Sequence, residues 1–159
     1  MKRILVISDS HGAAMRLRMI PDFCASEMID AVWHLGDITD DAQLLQKRLT
    51  IPVRFVAGNC DYFSHDPREI IETLEGKRFL LTHGDRWGVK YGEERLSYHA
   101  EECLCQVALY GHTHCPFTGY VGGVLLINPG ALKNGSLCVL TVTDKDIIPR
   151  IMDIDLWRK

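Results

Sequence analysis

The sequence predicts an α/β (α+β) fold, a sandwich of two β-sheets flanked by helices. Three observations predict it. The first third alternates apolar strands with helical stretches, a β-α-β-α-β order that calls for parallel pairing and right-handed crossovers. The second half is a run of short strands separated by turns. Several of these strands end in a carboxylate, amide or imidazole side chain, at the carboxyl ends where open α/β sheets keep their sites.

Arg3 to Ser8 is the first expected strand. After Gly12 the apolar residues Met15, Met19, Ile20 and Phe23 recur at helical spacing, with Pro21 expected to kink or end that helix. Ala31 to Leu35 is the second strand, and Thr39-Asp40-Asp41 reads as the N-cap of a short helix over Ala42 to Leu49. Pro52 to Ala57 is the third. Ile70–Leu74 and Arg78–Thr82 flank Glu75-Gly76-Lys77, a hairpin signal. Tyr91 to Cys103 is polar with Leu96 and Ala100 on one face, which predicts a surface helix. Val107–Tyr110, Thr118–Val121, Val124–Asn128, Leu137–Thr143 and Ile147–Asp153 complete the strands, with a tight turn at Gly122-Gly123. No linker, repeat or low-complexity stretch interrupts the chain, so residues 1–159 are expected to form one domain.

Composition narrows the function classes. A net charge of −3 gives no general footprint for nucleic acid or an anionic membrane. The apolar runs are strand-sized, well short of the roughly 20 residues of a membrane helix. Lys2-Arg3 before Ile4–Ile7 is too short an apolar run for a signal peptide, and a cytoplasmic protein is expected. The six cysteines are accordingly read as reduced thiols, and Cys103-Leu104-Cys105 lacks the spacing of a zinc motif.

The strand-end polar residues are Asp9, His11, Asp37, Asn59, His83, His112 and His114. Oxygen donors mixed with imidazoles, without thiolate, suit Mn²⁺, Fe²⁺, Zn²⁺ or Ni²⁺ rather than a structural zinc. The set is too large for one ion and suffices for two if one carboxylate bridges. Two divalent ions bring about four positive charges against two carboxylates, so the filled site stays cationic. Such a site binds a phosphate oxygen and generates a bridging hydroxide nucleophile, the chemistry of phosphoester hydrolysis.

Asp9-x-His11, Gly36-Asp37, Gly58-Asn59-x-Asp61, His83-Gly84 and Gly111-His112-Thr113-His114 resemble, in order and spacing, the motifs of the calcineurin-like metallophosphoesterases. The short chain and the Gly-Asn-Cys-Asp form are similar to the small YfcE-type phosphodiesterase branch. The resemblance implies one metal held by Asp9, His11, Asp37 and His114, and a second by Asp37, Asn59, His83 and His112. Asp37 then bridges, and Asp37, Asn59 and His112 occupy catalytic positions. It further implies Mn²⁺ as the leading cofactor, a small phosphoester as substrate, phosphodiesterase activity, and compatibility with a homo-oligomer. Three residues depart from the family pattern. Cys60 stands where many larger relatives have histidine, Asp85 replaces the second histidine of His-Gly-His, and Ala131 follows Asn128-Pro129-Gly130 where serine is usual.

Outside the motifs, His34, His65 and His99 read as packed or surface histidines, and Asp40 and Asp41 as helix caps. Asp61 reads as a carboxylate that orients an imidazole, or as a turn residue. Arg86 and Lys133 read as exposed basic side chains. Two other functions are weighed against the diesterase. A phosphomonoesterase would share the metal centre and differ in its pocket. A non-catalytic scaffold, the role of a retromer coat subunit of similar fold that has lost part of the ligand set, is disfavoured because this chain keeps every donor.

Overall fold

The computed structural model describes residues 1–157; the last two residues of the expected domain lie outside it. β1 (Lys2–Ile7), β2 (Ala31–His34) and β3 (Val53–Phe55) pair in parallel, and α1 (Ala14–Ser26) and α2 (Thr39–Arg48) make the crossovers. The strand order of this first sheet is β10-β9-β1-β2-β3, with β9 (Ser136–Val142) and β10 (Ile147–Asp153) joined antiparallel to its other side.

The second sheet runs β4-β5-β6-β8-β7. β4 (Glu69–Leu74) and β5 (Lys77–Thr82) form the expected hairpin, and β6 (Val107–Leu109) and β8 (Val124–Asn128) continue in parallel from β5. β7 (Phe117–Val121) returns antiparallel at the edge. α3 (Glu94–Glu102) connects β5 to β6.

Period-two alternation explains why these strands are apolar on both faces. Ile4 and Val6 of β1 point inward and meet Phe79, Leu81, Leu109 and Ile127 of the second sheet in the core between the sheets. Leu5 and Ile7 point outward and are covered by Leu17, Ile20, Phe23 and Leu45 of α1 and α2. On the far side Leu96 and Ala100 seat α3 over Leu80, Ala108 and Leu126. The molecule is therefore a four-layer α/β sandwich, as the patterning predicts.

Three local expectations change. Pro21 lies inside α1, which continues to Ser26. Burial of Ile20, Phe23 and Cys24 on either side outweighs the missing amide. The buried stripe of α1 is Leu17, Ile20, Phe23 and Cys24, while Met15 in the first turn is exposed. Thr39 does not cap α2; the helix starts at that residue, after Ile38 at φ 97°, with no side-chain cap from Ile38.

Candidate metal centre

Both sheets deliver the carboxyl ends of their parallel strands to the same edge. Asp9 follows β1, Asp37 follows β2, Asn59 follows β3, His83 follows β5 and His112 follows β6. There Asp9 Oδ1 lies 3.2 Å from His114 Nε2 and 3.8 Å from both His11 Nε2 and His83 Nε2. Asp37 Oδ2 lies 3.3 Å from His83 Nε2 and 3.6 Å from His11 Nε2. The ring of His112 packs edge-on against His83, with centroids 5.1 Å apart. Asn59 is exposed beside this group, its side-chain nitrogen 3.8 Å from Cys60 Sγ.

Each carboxylate has one oxygen occupied and the other aimed at the imidazoles. Asp9 Oδ2 accepts from Ser8 Oγ at 2.7 Å and from the His112 amide at 3.0 Å. Asp37 Oδ1 accepts from the Cys60 amide at 3.0 Å. His83 is oriented the same way: its Nδ1 contacts the Leu35 carbonyl oxygen at 2.8 Å, so the N–H sits there and Nε2 turns its lone pair inward. Asp9 Oδ1, His11 Nε2 and His83 Nε2 are buried without a hydrogen-bond partner. Buried polar atoms normally have partners. Three orphans converging with carboxylate and imidazole donors fit a cation, and the residue groups at this edge that could hold one are Asp9–His11–His114, Asp9–Asp37–His83 and His11–Asp37–Cys60.

The backbone bears the same mark. Asp9, His11, Asp37, His112 and His114 all have positive φ, between 44° and 70°. Left-handed backbone is uncommon for residues with a side chain, and it persists where surrounding structure over-determines it. Burial pushes the Asp37 carboxyl up, but the short contact with His83, that residue's charge and the Cys60 amide outweigh it and hold it far below the usual range. Burial pulls His83 down, and the contact with Asp37 together with the charges of Asp9 and Asp37 reverses this and raises it. Burial, then the charges of His83 and Lys90, lower His112.

Sequence reasoning missed the residues that support this edge. Asp61 does not orient an imidazole: it accepts amide protons from Asp37 (3.2 Å), Thr39 (2.9 Å) and Gly58 (2.8 Å). One carboxylate thus pins the loop of Asp37, caps α2 from outside and closes the turn before Asn59. Asp41 is no cap either. It accepts from Ser10 Oγ at 2.6 Å and the Gly12 amide at 2.9 Å, tying α2 to the loop of His11. Ser10 spends its proton on Asp41, so it accepts from His34 Nε2 at 2.9 Å, and His34 Nδ1 accepts the Gly36 amide at 3.1 Å. Asn128 Nδ2 donates to the Gly111 carbonyl and to Thr113 Oγ1, which holds the loop of His112 and His114.

Of the departures, Cys60 contributes its amide to Asp37 while its thiol is pushed up, by burial and then by Asp37. Asp85 opens a 3-10 turn after Gly84, and Ala131 is buried, its carbonyl accepting the Asn134 and Ser136 amides. The six cysteines are free thiols. Among the described residues no helix is long and apolar enough to cross a membrane.

A model of the calcineurin-like phosphoesterase superfamily domain matches residues 1–145. A probable metallophosphoesterase of Bacillus subtilis, YsnB, is 33% identical over 131 residues, covering 82% of this chain and 75% of that protein. The phosphodiesterase YfcE of Escherichia coli K12 is 24% identical, over 95% of this chain and 98% of its own length. Among solved structures, that of a conserved protein of Streptococcus pneumoniae, described as a predicted phosphoesterase, superposes with a TM-score of 0.81 at 26% identity, covering 97% of this chain and 90% of that one.

Proposed function

The chain belongs to the calcineurin-like phosphoesterase superfamily, and from that premise we propose that it is a dinuclear metal-dependent phosphodiesterase. The observation that carries this reading is the set of orphaned donors, Asp9 Oδ1, His11 Nε2 and His83 Nε2, facing one another among two carboxylates and four histidines. Asp9, His11, Asp37 and His114 would hold one ion and Asp37, Asn59, His83 and His112 the other. Oxygen and imidazole donors suit Mn²⁺, Fe²⁺, Zn²⁺ or Ni²⁺ alike, and Mn²⁺ is the leading candidate through the resemblance to the family.

Bound ions supply Lewis acidity to the phosphoryl oxygens and a water-derived nucleophile near neutral pH. The residues of the chain set the conditions for that. Leu35, through its carbonyl, keeps His83 in the tautomer whose Nε2 donates electrons rather than a proton. Ser8 and the His112 amide fix the rotation of Asp9, and the Cys60 amide fixes that of Asp37 and keeps it ionised. Two clefts are lined by chain neighbours of the donors, Cys60 in one and Thr113 in the other, and by none of the donors themselves. One, of about 550 Å³, runs from Cys60 past Tyr62 and Phe63. The other, of about 510 Å³, runs from Thr113 past Lys90 and Tyr110.

The experiment is a Mn²⁺ titration of chelator-stripped protein with a chromogenic phosphodiester and its matching monoester. Activity is expected to saturate near two ions per chain and to favour the diester. Asp37→Asn is expected to cost more than the roughly 100-fold that losing an outer hydrogen-bond partner of a ligand costs, with reduced metal content and an unchanged circular dichroism spectrum. Full activity in Asp37→Asn would overturn the assignment, and a preference for the monoester would overturn the diesterase reading while leaving the metal centre standing.

A further inference from the structure

Glu69, His99 and Cys103 share no residue with the cluster above. Glu69 opens the edge strand β4, opposite Thr82 in the hairpin register. His99 lies in α3 and Cys103 caps its C-terminal end, four residues on and therefore on the same face. Seating α3 on the sheet brings the three side chains together. His99 Nε2 is 2.6 Å from Glu69 Oε1, Cys103 Sγ is 3.7 Å from His99 Nε2, and one donor atom of each lies within 4.8 Å of the others. All three residues are half-buried.

We propose that Glu69, His99 and Cys103 form a second metal site, for a borderline-soft divalent cation of the zinc type. The donor set is one oxygen, one nitrogen and one sulfur, which suits zinc. The imidazole is held in place: its ring stacks on Trp87 with centroids 3.9 Å apart and planes 17° from parallel. The end of the helix is held too, since Arg78 Nη2 donates to the Cys103 carbonyl at 3.0 Å. A carboxylate and a thiolate neutralise a divalent ion, so the occupied site carries no net charge into a part-buried place. Three protein donors leave one position for water. Binding releases the thiol proton of Cys103 to solvent, and the neutral imidazole of His99 offers a ring lone pair with its remaining hydrogen on the other nitrogen. The ion ties the edge strand β4 to α3 and, through the stacked Trp87, to the turn that follows His83.

The test is titration of the chelator-stripped full chain with Co²⁺, following thiolate-to-cobalt charge-transfer absorption in the near ultraviolet. The band is expected to reach the intensity of about one thiolate–cobalt centre per chain, by about three equivalents of Co²⁺ as the two-ion centre fills alongside, and to bleach on addition of Zn²⁺. It should vanish in both Cys103→Ser and Cys103→Ala, and require at least tenfold more Co²⁺ in His99→Ala. It should persist in Cys60→Ser, which removes the thiol beside His11 and Asp37, and in Asp37→Asn. No band in the wild type, or a band that survives both Cys103 variants while their circular dichroism matches wild type, overturns the proposal. Ester hydrolysis is not read at any step, so the outcome is independent of the phosphodiesterase assignment.

Discussion

Asp61 ties together three loop positions around the site without itself being one of the proposed metal donors. Its two oxygens take the amides of Asp37, Thr39 and Gly58, and it is 8% exposed. Removing a buried acceptor leaves each donor to bear its own desolvation, at about 1–3 kcal/mol per group. Asp61→Ala is therefore expected to cost about 3 kcal/mol in urea denaturation, because part of the loss is recovered as water enters. Asp61→Asn, which keeps one oxygen acceptor, should lose about half as much. An Asp61→Ala midpoint equal to wild type would show that the three amides find other partners. That Asp9, His11, Asp37, His83, His112 and His114 gather at one edge was legible because each sits in a short motif at the end of an apolar strand. Asp61 was legible as a residue near the site and not in its role. A carboxylate that collects amides from residues 22–24 positions away in sequence, besides its own turn, leaves no local pattern. The same holds for Ser10, His34 and Asp41, whose hydrogen bonds exist only once β1, β2 and α2 are packed together.

At the scale of the elements, what matters is how closely the strand ends approach. A Cβ on Gly58 would collide with Asp37 Oδ1 and lie 2.8 Å from the Asp37 amide and 2.9 Å from His83 Cγ. Glycine is needed there for space between β2, β3 and β5. Gly58→Ala should thus shift Asp37 or His83, costing about 1–3 kcal/mol of stability by overpacking and roughly 10- to 100-fold in metal affinity. Competition with a chromophoric chelator measures the second. Unchanged affinity would mean that neither side chain is part of the binding group. The elements themselves were readable because the core demands it. Strands buried on both faces are apolar throughout, and α3 shows its Leu96 and Ala100 plainly. The misreadings fall at element ends and at a helix breaker, where packing decides. Pro21 is carried by its buried neighbours, and α2 takes its cap from another loop.

For the whole molecule, the depth of the site beneath its loops couples folding to pH through His34. Burial lowers this imidazole to about 4, against the opposing charges of Asp41, Asp9 and Asp61. The hydrogen bonds give the same answer by geometry. Nε2 donates to Ser10 and Nδ1 accepts from the Gly36 amide, so a second proton has no place unless that amide loses its acceptor. The unfolded chain binds the proton below about 6.5, while the native chain binds it only below about 4. Between those values the unfolded state holds more protons, so stability falls as pH falls through the window. A shift of this size corresponds to roughly 3 kcal/mol. Asp37 adds a second loss further down: its carboxyl is held low in the metal-free fold, so stability present above its ordinary pKa disappears as the pH drops below it. Urea denaturation of the metal-stripped protein between pH 4 and pH 7 is expected to show stability rising with pH, with His34 and the likewise lowered His112 contributing and the raised His83 opposing them towards the top of the window. His34→Gln, which can still donate to Ser10 and accept from Gly36, should make that rise shallower by the share of His34 and leave the decline at lower pH. A variant with the full wild-type slope would assign the proton to another group and leave the neutral His34 as a packing feature.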